Sequence, residues 1–244
     1  MSEVAKFYEQ VSANIERLKG ATDLQQRSRE WLRDVGPLGY AYNFTWLGRP
    51  IIQVAQDVMA MQELLWRIKP QLVVETGVAH GGSLVFYASM LELLGGAGRV
   101  LGIDIDIRSH NREALDDHPM RKRIDLLEGS SVDPGIVALV HERAKGKAPV
   151  VVVLDSNHTH DHVLAELRAY SGLVPRGSYV VVMDTAIEDL PKEAFADRPW
   201  GPGNSPRSAV RAFLAENDRF AVDEDIDAKL LISVAPGGYL RRVA

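Results

Sequence analysis

Carboxylates and imidazoles follow directly on an apolar run: Val150-Val151-Val152-Val153-Leu154 leads into Asp155-Ser156-Asn157-His158-Thr159-His160-Asp161-His162. A carboxylate at Asp155 and an imidazole three residues later, at His158, can hold a divalent cation and a general base against the same substrate hydroxyl. The cation would lower the hydroxyl pKa, and a neutral imidazole would take the proton as the oxygen attacks. A second run, Ser178-Tyr179-Val180-Val181-Val182, ends in Met183-Asp184-Thr185 and brings another carboxylate. Asp155 and Asp184 together suit Mg2+, a hard ion that keeps several waters and needs few protein carboxylates. The rival is zinc held by His158, His160 and His162, but side chains two apart on extended backbone point to opposite faces. His158 and Asp155 are therefore the candidate catalytic pair. His160 either caps the following helix or touches substrate, and His162 is expected on that helix, facing solvent or a neighbouring subunit.

A different chemistry is written in Glu75-Thr76-Gly77-Val78-Ala79-His80-Gly81-Gly82-Ser83, which follows Leu72-Val73-Val74. Glycines after a strand let backbone N–H groups approach a ligand, and the next helix N-terminus favours anionic groups. Gly77, Ala79 and Gly82 form G-x-A-x-x-G, a near miss to the dinucleotide fingerprint, so spacing alone leaves two cofactors open. Glu75 tilts the choice: it would repel a pyrophosphate but suits the ammonium end of a methionine moiety. The reading is a loop for S-adenosylmethionine, with Glu75, Gly77, Ala79, Gly81, Ser83 and Asp155 as contacts. Asp104, ending Val100-Leu101-Gly102-Ile103, would take two ribose hydroxyls. In Leu127-Glu128-Gly129-Ser130-Ser131, Ser130 lies beside the expected adenine, although capping the helix after Asp133 is an equally good use of these serines. An NAD(P)-dependent oxidoreductase is the alternative, without an evident Tyr-x-x-x-Lys pair.

These residues need a sheet to position them. Short Val- and Ile-rich runs alternate with helical patterns after Pro70, which indicates a mostly parallel sheet covered on both faces. Strands are expected near 71–76, 99–104, 124–128, 149–155 and 178–184, with helices at about 82–94, 108–117, 133–144 and 161–170. A helix from Arg207 to Glu216 precedes two strands, Phe220–Val222 and Lys229–Val234, joined by the acidic turn Asp223-Glu224-Asp225-Ile226-Asp227. A closing hairpin of that kind marks the methyltransferase version of the doubly wound fold. The predicted class is α/β, a Rossmann-like, seven-stranded sheet spanning 70–244.

Residues 1–69 read as an N-terminal helical arm and an aromatic loop. Val4, Phe7, Val11, Ile15 and Leu18 share one face of a helix running to about Arg33, and a second helix covers about Gln53 to Ile68. Tyr42 and Trp46 in the loop between them, with Trp200 and Asn204 in the Pro/Gly-rich segment 197–206, could wall a pocket for a sugar-like acceptor.

The chain has 244 residues, a net charge of -5, a pI near 5.8 and no cysteine. The acidic balance argues against a nucleic-acid binder, and the missing thiols exclude disulfides and cysteine nucleophiles. No apolar run approaches a membrane span and no signal-peptide core is seen, so a cytoplasmic protein without membrane insertion is expected.

Taken together, Glu75 to Ser83, Gly102-Ile103-Asp104-Ile105-Asp106, Leu127 to Ser131, Asp155-Ser156-Asn157-His158 and Met183-Asp184-Thr185 resemble the family named for cephalosporin hydroxylase (CmcI-like). Its better-understood relatives are class I S-adenosylmethionine-dependent O-methyltransferases, including enzymes of macrolide sugars. The likeness runs from about Tyr42 to Leu240. It implies Glu75, Gly77, Ser83, Asp104 and Ser130 as cofactor contacts, Asp155 and Asp184 as metal ligands, His158 as base, a small-molecule hydroxyl acceptor of sugar type, and a homo-oligomer. One position departs from the pattern. Metal-dependent relatives carry two adjacent polar ligands after the fifth strand, often Glu-Asp; here the first is Met183, which leaves the metal weaker, completed by water or substrate, or absent. A non-catalytic helper of an oxygenase is a further alternative suggested by the family name.

Overall fold

The structure, a computed structural model, describes residues 2–244; Met1 of the expected 1–69 arm lies outside the described residues. Helix α1 (Glu3–Lys19) starts at Ser2, whose hydroxyl accepts the Ala5 N–H at 3.2 Å, and stops at Gly20. Helix α2 (Thr22–Val35) follows, so the single helix expected to Arg33 is two. The break falls at Gly20, a residue less favourable than alanine in a helix interior by about 1 kcal/mol. No residue of α1 is buried, and Val4, Phe7 and Tyr8 are exposed. The helix leans by its second half on α9, described below, where Lys19 Nζ pairs with Asp225 at 2.5 Å.

Strands β1 (Phe44–Trp46) and β2 (Arg49–Ile51) form a small antiparallel hairpin. Helix α3 (Ala55–Ile68) buries Ala60, Met61, Leu64 and Leu65 and packs on the main domain, although the sequence groups it with the arm.

The sheet has seven strands. Five are parallel: β3 (Leu72–Thr76), β4 (Arg99–Asp104), β5 (Ile124–Glu128), β6 (Val150–Leu154) and β7 (Tyr179–Val182). Between them lie α4 (Gly82–Leu94), α5 (Ser109–Asp116), α6 (Pro134–Ala144) and α7 (His160–Tyr170). After β7 come α8 (Pro206–Glu216), β8 (Phe220–Val222), α9 (Glu224–Leu230) and β9 (Tyr239–Arg242). The order is β5-β4-β3-β6-β7-β9-β8, with β9 antiparallel to both of its neighbours. This is the doubly wound, hairpin-closed sheet expected from the sequence.

Every residue of β3 and β6 is buried, as continuous Val/Leu runs covered on both faces require. One apolar layer holds α3, α4 and the β3 side chains Val73, and the other holds Leu72 and Val74 with α7 and α8. Because β3 sits between β4 and β6, chain order reverses there, and the crevice at its carboxyl end is where such sheets bind ligands.

The final strand is not where the sequence put it. Residues Glu224–Leu230 are helical, with Asp223 accepting the Ile226 N–H at 3.3 Å, and the strand is Tyr239–Arg242. An aspartate cap followed by acidic residues in the first turn suits the positive end of the helix dipole, so the acidic segment starts a helix instead of making a solvated turn. Among the described residues, no helix is long and apolar enough to cross a membrane.

Candidate active site

The loop after β3 is built by close approach. Gly77 has φ +92°, and a Cβ there would lie 2.0 Å from the Asp155 carbonyl oxygen, so only glycine lets the end of β6 come this near. A Cβ on Gly82 would lie 2.1 Å from the Pro50 carbonyl oxygen. That second glycine lets β2 run across the N-terminus of α4 and delivers Tyr42 and Gln53 to the same crevice. The loop is clamped from outside, since the Arg49 guanidinium donates to the His80 carbonyl at 2.5 Å and the Asn111 amide donates to the Ala79 carbonyl at 2.8 Å.

Two adjoining cavities line this loop. The first, about 210 Å³, is bounded by Tyr42, Gln53, Ser83, Asp155, His158 and Asp184. The second, about 280 Å³, is bounded by Asp104, Ser130, Ser131, Asn157, His162 and Trp200. Gly77, Ala79, Asp155 and Ser156 border both. A long ligand with chemically different ends would fit such a pair.

Strands β6 and β7 place the candidate chemistry. Asp155, His158 and Asp184 each offer a ligand atom within 4.8 Å of the others. His158 Nε2 lies 3.3 Å from Asp184 Oδ2, and the imidazole meets the Trp200 ring edge-on at 4.9 Å. Asp184 sits in the left-handed region at φ 56°, a conformation that aspartate tolerates better than most residues and that recurs at functional sites. Met183 is buried in the core and offers the cavity nothing.

The electrostatics are one-sided. Burial, then the charges of Asp184, Glu75, Glu166 and Asp57, hold the Asp155 carboxyl well above its usual range. Burial pushes Glu75 up to about 8, against the lowering effect of the Ser83 hydroxyl, which donates to Glu75 Oε2 at 2.7 Å. Glu75 Oε1 is buried with no hydrogen-bond partner. A crevice lined by Asp155 and Asp184 and backed by the buried Glu75 favours a cationic occupant, and the Glu75 oxygen without a partner fits an ammonium group. The same donor set of two carboxylates and an imidazole fits a divalent cation.

Several expected residues are placed otherwise. Trp46 points into the protein: its Nε1 donates to Ser89 Oγ at 3.0 Å and its ring packs on Phe86, because an indole is best buried where its N–H finds a partner. His160 and Asn204 serve the frame. The Asn204 side chain accepts the His160 N–H at 2.8 Å at the start of α7, and His160 Nδ1 lies 2.8 Å from Ser208 Oγ on α8. Tyr42 and Trp200 do line the cavities. Asp104 accepts from the Val78 N–H at 2.7 Å, bracing the loop while lining the second cavity.

The serines after β5 do not cap α6. Asp133 does, accepting the Gly135 N–H at 2.8 Å. Ser130 lines the second cavity, whereas Ser131 donates to the buried Glu166 at 2.5 Å, as does Ser156 at 2.7 Å. His162, expected toward solvent or a neighbour, turns inward to lie 3.0 Å from Ser131 Oγ. Glu166, one helical turn after His162, marks that inward face, and the spacing of four was the signal available in the sequence. Gln53, which lines the first cavity, was also missed; it belongs to an apolar-looking stretch.

Comparison with known proteins gives the family. A family model described as rhamnosyl O-methyltransferase/CmcI matches residues 38–243. A rhamnosyl O-methyltransferase of Mycobacterium tuberculosis is 32% identical over 203 residues, covering 81% of this chain and 78% of that protein. The Mycobacterium leprae rhamnosyl O-methyltransferase is 33% identical over 204 residues, covering 81% and 82%. Among solved structures, one described as CmcI-D160 Mg-SAM superposes with a TM-score of 0.57 at 22% identity, covering 83% of this chain and 78% of that one. An O-methyltransferase from Bacillus cereus in complex with SAH gives 0.51 at 14% identity, covering 80% and 82%. These two share the fold. The family match overturns the oxidoreductase alternative: the chain belongs to the rhamnosyl O-methyltransferase/CmcI family of S-adenosylmethionine-dependent O-methyltransferases.

Proposed function

We propose that this enzyme methylates a hydroxyl of a sugar, a rhamnosyl group foremost, with His158 as general base and Mg2+ held by Asp155 and Asp184. The observation that carries the reading is the convergence of Asp155, His158 and Asp184 at the cavity that also borders the glycine loop. The rhamnosyl acceptor is suggested by the names of the mycobacterial relatives, which match most of the chain.

When bound, the cofactor supplies an electrophilic methyl and the metal supplies charge that acidifies a hydroxyl. Asp184 orients the His158 ring, and Trp200 limits its rotation by the edge-on contact. With Nε2–H directed to Asp184, Nδ1 is the nitrogen free to accept the acceptor's proton. Tyr42 covers the outer side of the cavity, and its aromatic face suits the apolar face of a deoxysugar. Holding the reactants in line can contribute about 7–11 kcal/mol toward the barrier.

The exposed Val4, Phe7 and Tyr8 of α1 support a homo-oligomer that covers the arm. The deciding assay transfers a labelled methyl from S-adenosylmethionine to rhamnosyl glycosides, with and without chelator. The expected result is transfer that chelation abolishes and Mg2+ restores. Transfer unaffected by exhaustive chelation would remove the metal. Cofactor binding with no transfer to rhamnosyl or any other glycoside would favour the helper reading instead.

A further inference from the structure

The second cavity has a wall that the catalytic cluster does not use. His162, in the first turn of α7, lines it together with Ser131 and Ser156, from the loops after β5 and β6. Behind them Glu166 is wholly buried, one helical turn further along α7. Its Oε1 accepts from the Ser131 hydroxyl at 2.5 Å and from the Ser156 hydroxyl at 2.7 Å. His162 Nε2 lies 3.0 Å from Ser131 Oγ, 3.3 Å from Ser156 Oγ and 3.4 Å from Glu166 Oε1.

This arrangement fixes a tautomer. A hydroxyl has one hydrogen, and both serines give theirs to Glu166. Each serine oxygen can then only accept, as can Glu166 Oε1, so Nε2 must carry the ring hydrogen. The neutral imidazole is left with a lone pair at Nδ1. The hydrogen bonds of the ring within the fold are made by Nε2, and Nδ1 has none among the described residues. The side chain is 20% exposed where it lines the cavity, so its free edge is an acceptor offered to a ligand.

What meets that edge follows from the rest of the lining. Asp104, whose carboxylate suits ribose hydroxyls, borders the same cavity, so the part of the nucleoside that reaches His162 is the base. A 6-aminopurine presents an N–H2 donor on its edge. A 6-oxopurine presents a carbonyl oxygen there and would set one lone pair against another.

We propose that His162 Nδ1 accepts from the exocyclic amine of the cofactor's base, and that Glu166 with the two serines holds the ring in the accepting tautomer. His162 is then a specificity residue for adenine, and Glu166 a positioning residue. The inference rests on the reading that this crevice holds the cofactor with its ribose at Asp104.

Calorimetry with S-adenosylhomocysteine and S-inosylhomocysteine, which differ at the purine 6-position, tests it. The wild-type protein should prefer the adenosine compound by about 10- to 100-fold, the size expected when a buried acceptor loses its donor. His162→Phe keeps a flat ring without the acceptor, and the preference should fall to within about three-fold, through weaker binding of S-adenosylhomocysteine. His162→Asn restores an acceptor in its side-chain carbonyl and should keep the preference within about three-fold of wild type. Glu166→Gln, whose amide can donate to the serines and release the tautomer, should narrow the preference, whereas a purely structural loss would weaken both ligands alike. Equal binding of the two compounds by wild type, a full preference retained by His162→Phe, or equal loss of preference in His162→Asn and His162→Phe would overturn the assignment. If His162→Phe does not fold, the wild-type comparison and Glu166→Gln still decide. A wild-type protein that binds neither compound would sink the placement of the cofactor in the crevice, and this assignment with it.

Discussion

Two buried carboxylates, Asp57 and Glu75, are placed less alike than their burial suggests. Asp57 accepts from the Ser233 hydroxyl at 2.6 Å, the Val234 N–H at 2.8 Å and the Tyr239 hydroxyl at 2.9 Å. Burial still raises it, to about 6, but its donors are all supplied from within the fold. Glu75 has one internal donor and one bare oxygen, and burial drives it further, to about 8. The first ties the C-terminal segment to α3 and so holds β9 in the sheet. The second keeps one oxygen for which the fold supplies no donor within hydrogen-bond geometry. A satisfied buried acid is structural, whereas an unsatisfied one beside a cavity marks where binding energy is to be found.

The contrast is tested most severely at the catalytic end of the crevice. His158→Ala should lower turnover by about 10²- to 10⁴-fold, the usual contribution of a general base, and leave S-adenosylhomocysteine affinity within a few-fold. Unchanged turnover in single-turnover assays would remove His158 from the reaction.

The two acids themselves come next. Asp57→Ala should cost about 2–4 kcal/mol of stability by stranding three buried donors, read by denaturant melts. Glu75→Gln should not lower stability, but should weaken cofactor binding at least ten-fold. The pH dependence has a definite sign. The ordinary carboxyl value of 4.5 is raised to about 8 in the folded, ligand-free protein, so the folded state binds more protons than the unfolded chain between those values. The stability contribution is complete below about 4.5 and is lost as pH rises through about 8. Glu75→Gln should flatten that slope. An ammonium arriving at Glu75 should also expel its proton, so wild-type binding of S-adenosylhomocysteine near pH 7 should release protons to buffer and the variant should release fewer. Equal proton release by both proteins would place the titrating group elsewhere.

The smallest expected effect concerns the wall. Trp200→Ala removes the edge-on contact with His158 and should lower turnover by about three- to ten-fold, the size of an aromatic pair contact. A loss of stability with turnover intact would make Trp200 a packing residue only.

Much of the candidate site's convergence was legible because its residues lie in short contiguous motifs. Glu75 to Ser83, Asp104, Asp155 to His158 and Asp184 each end a Val-rich strand, and a parallel sheet brings all strand ends to one edge. Trp46, His160 and Asn204 make contacts within the frame, because composition reveals that a side chain can contact a sugar, not which way it faces. Trp46 found Ser89, and Asn204 found the free N–H at the start of α7. The acidic segment after β8 was read as a turn because its charges resemble a solvated loop; Ile226 and Leu230, four apart, show the helical face that packs inward.

What the amino-acid order alone determined was the sheet, its glycine turn and the acids at its strand ends, since period, branching and turn chemistry are local properties. Only tertiary structure decided which polar side chains were satisfied and which were left bare. Glu75 Oε1 is left without a partner only because burial has removed the water that would have paired it.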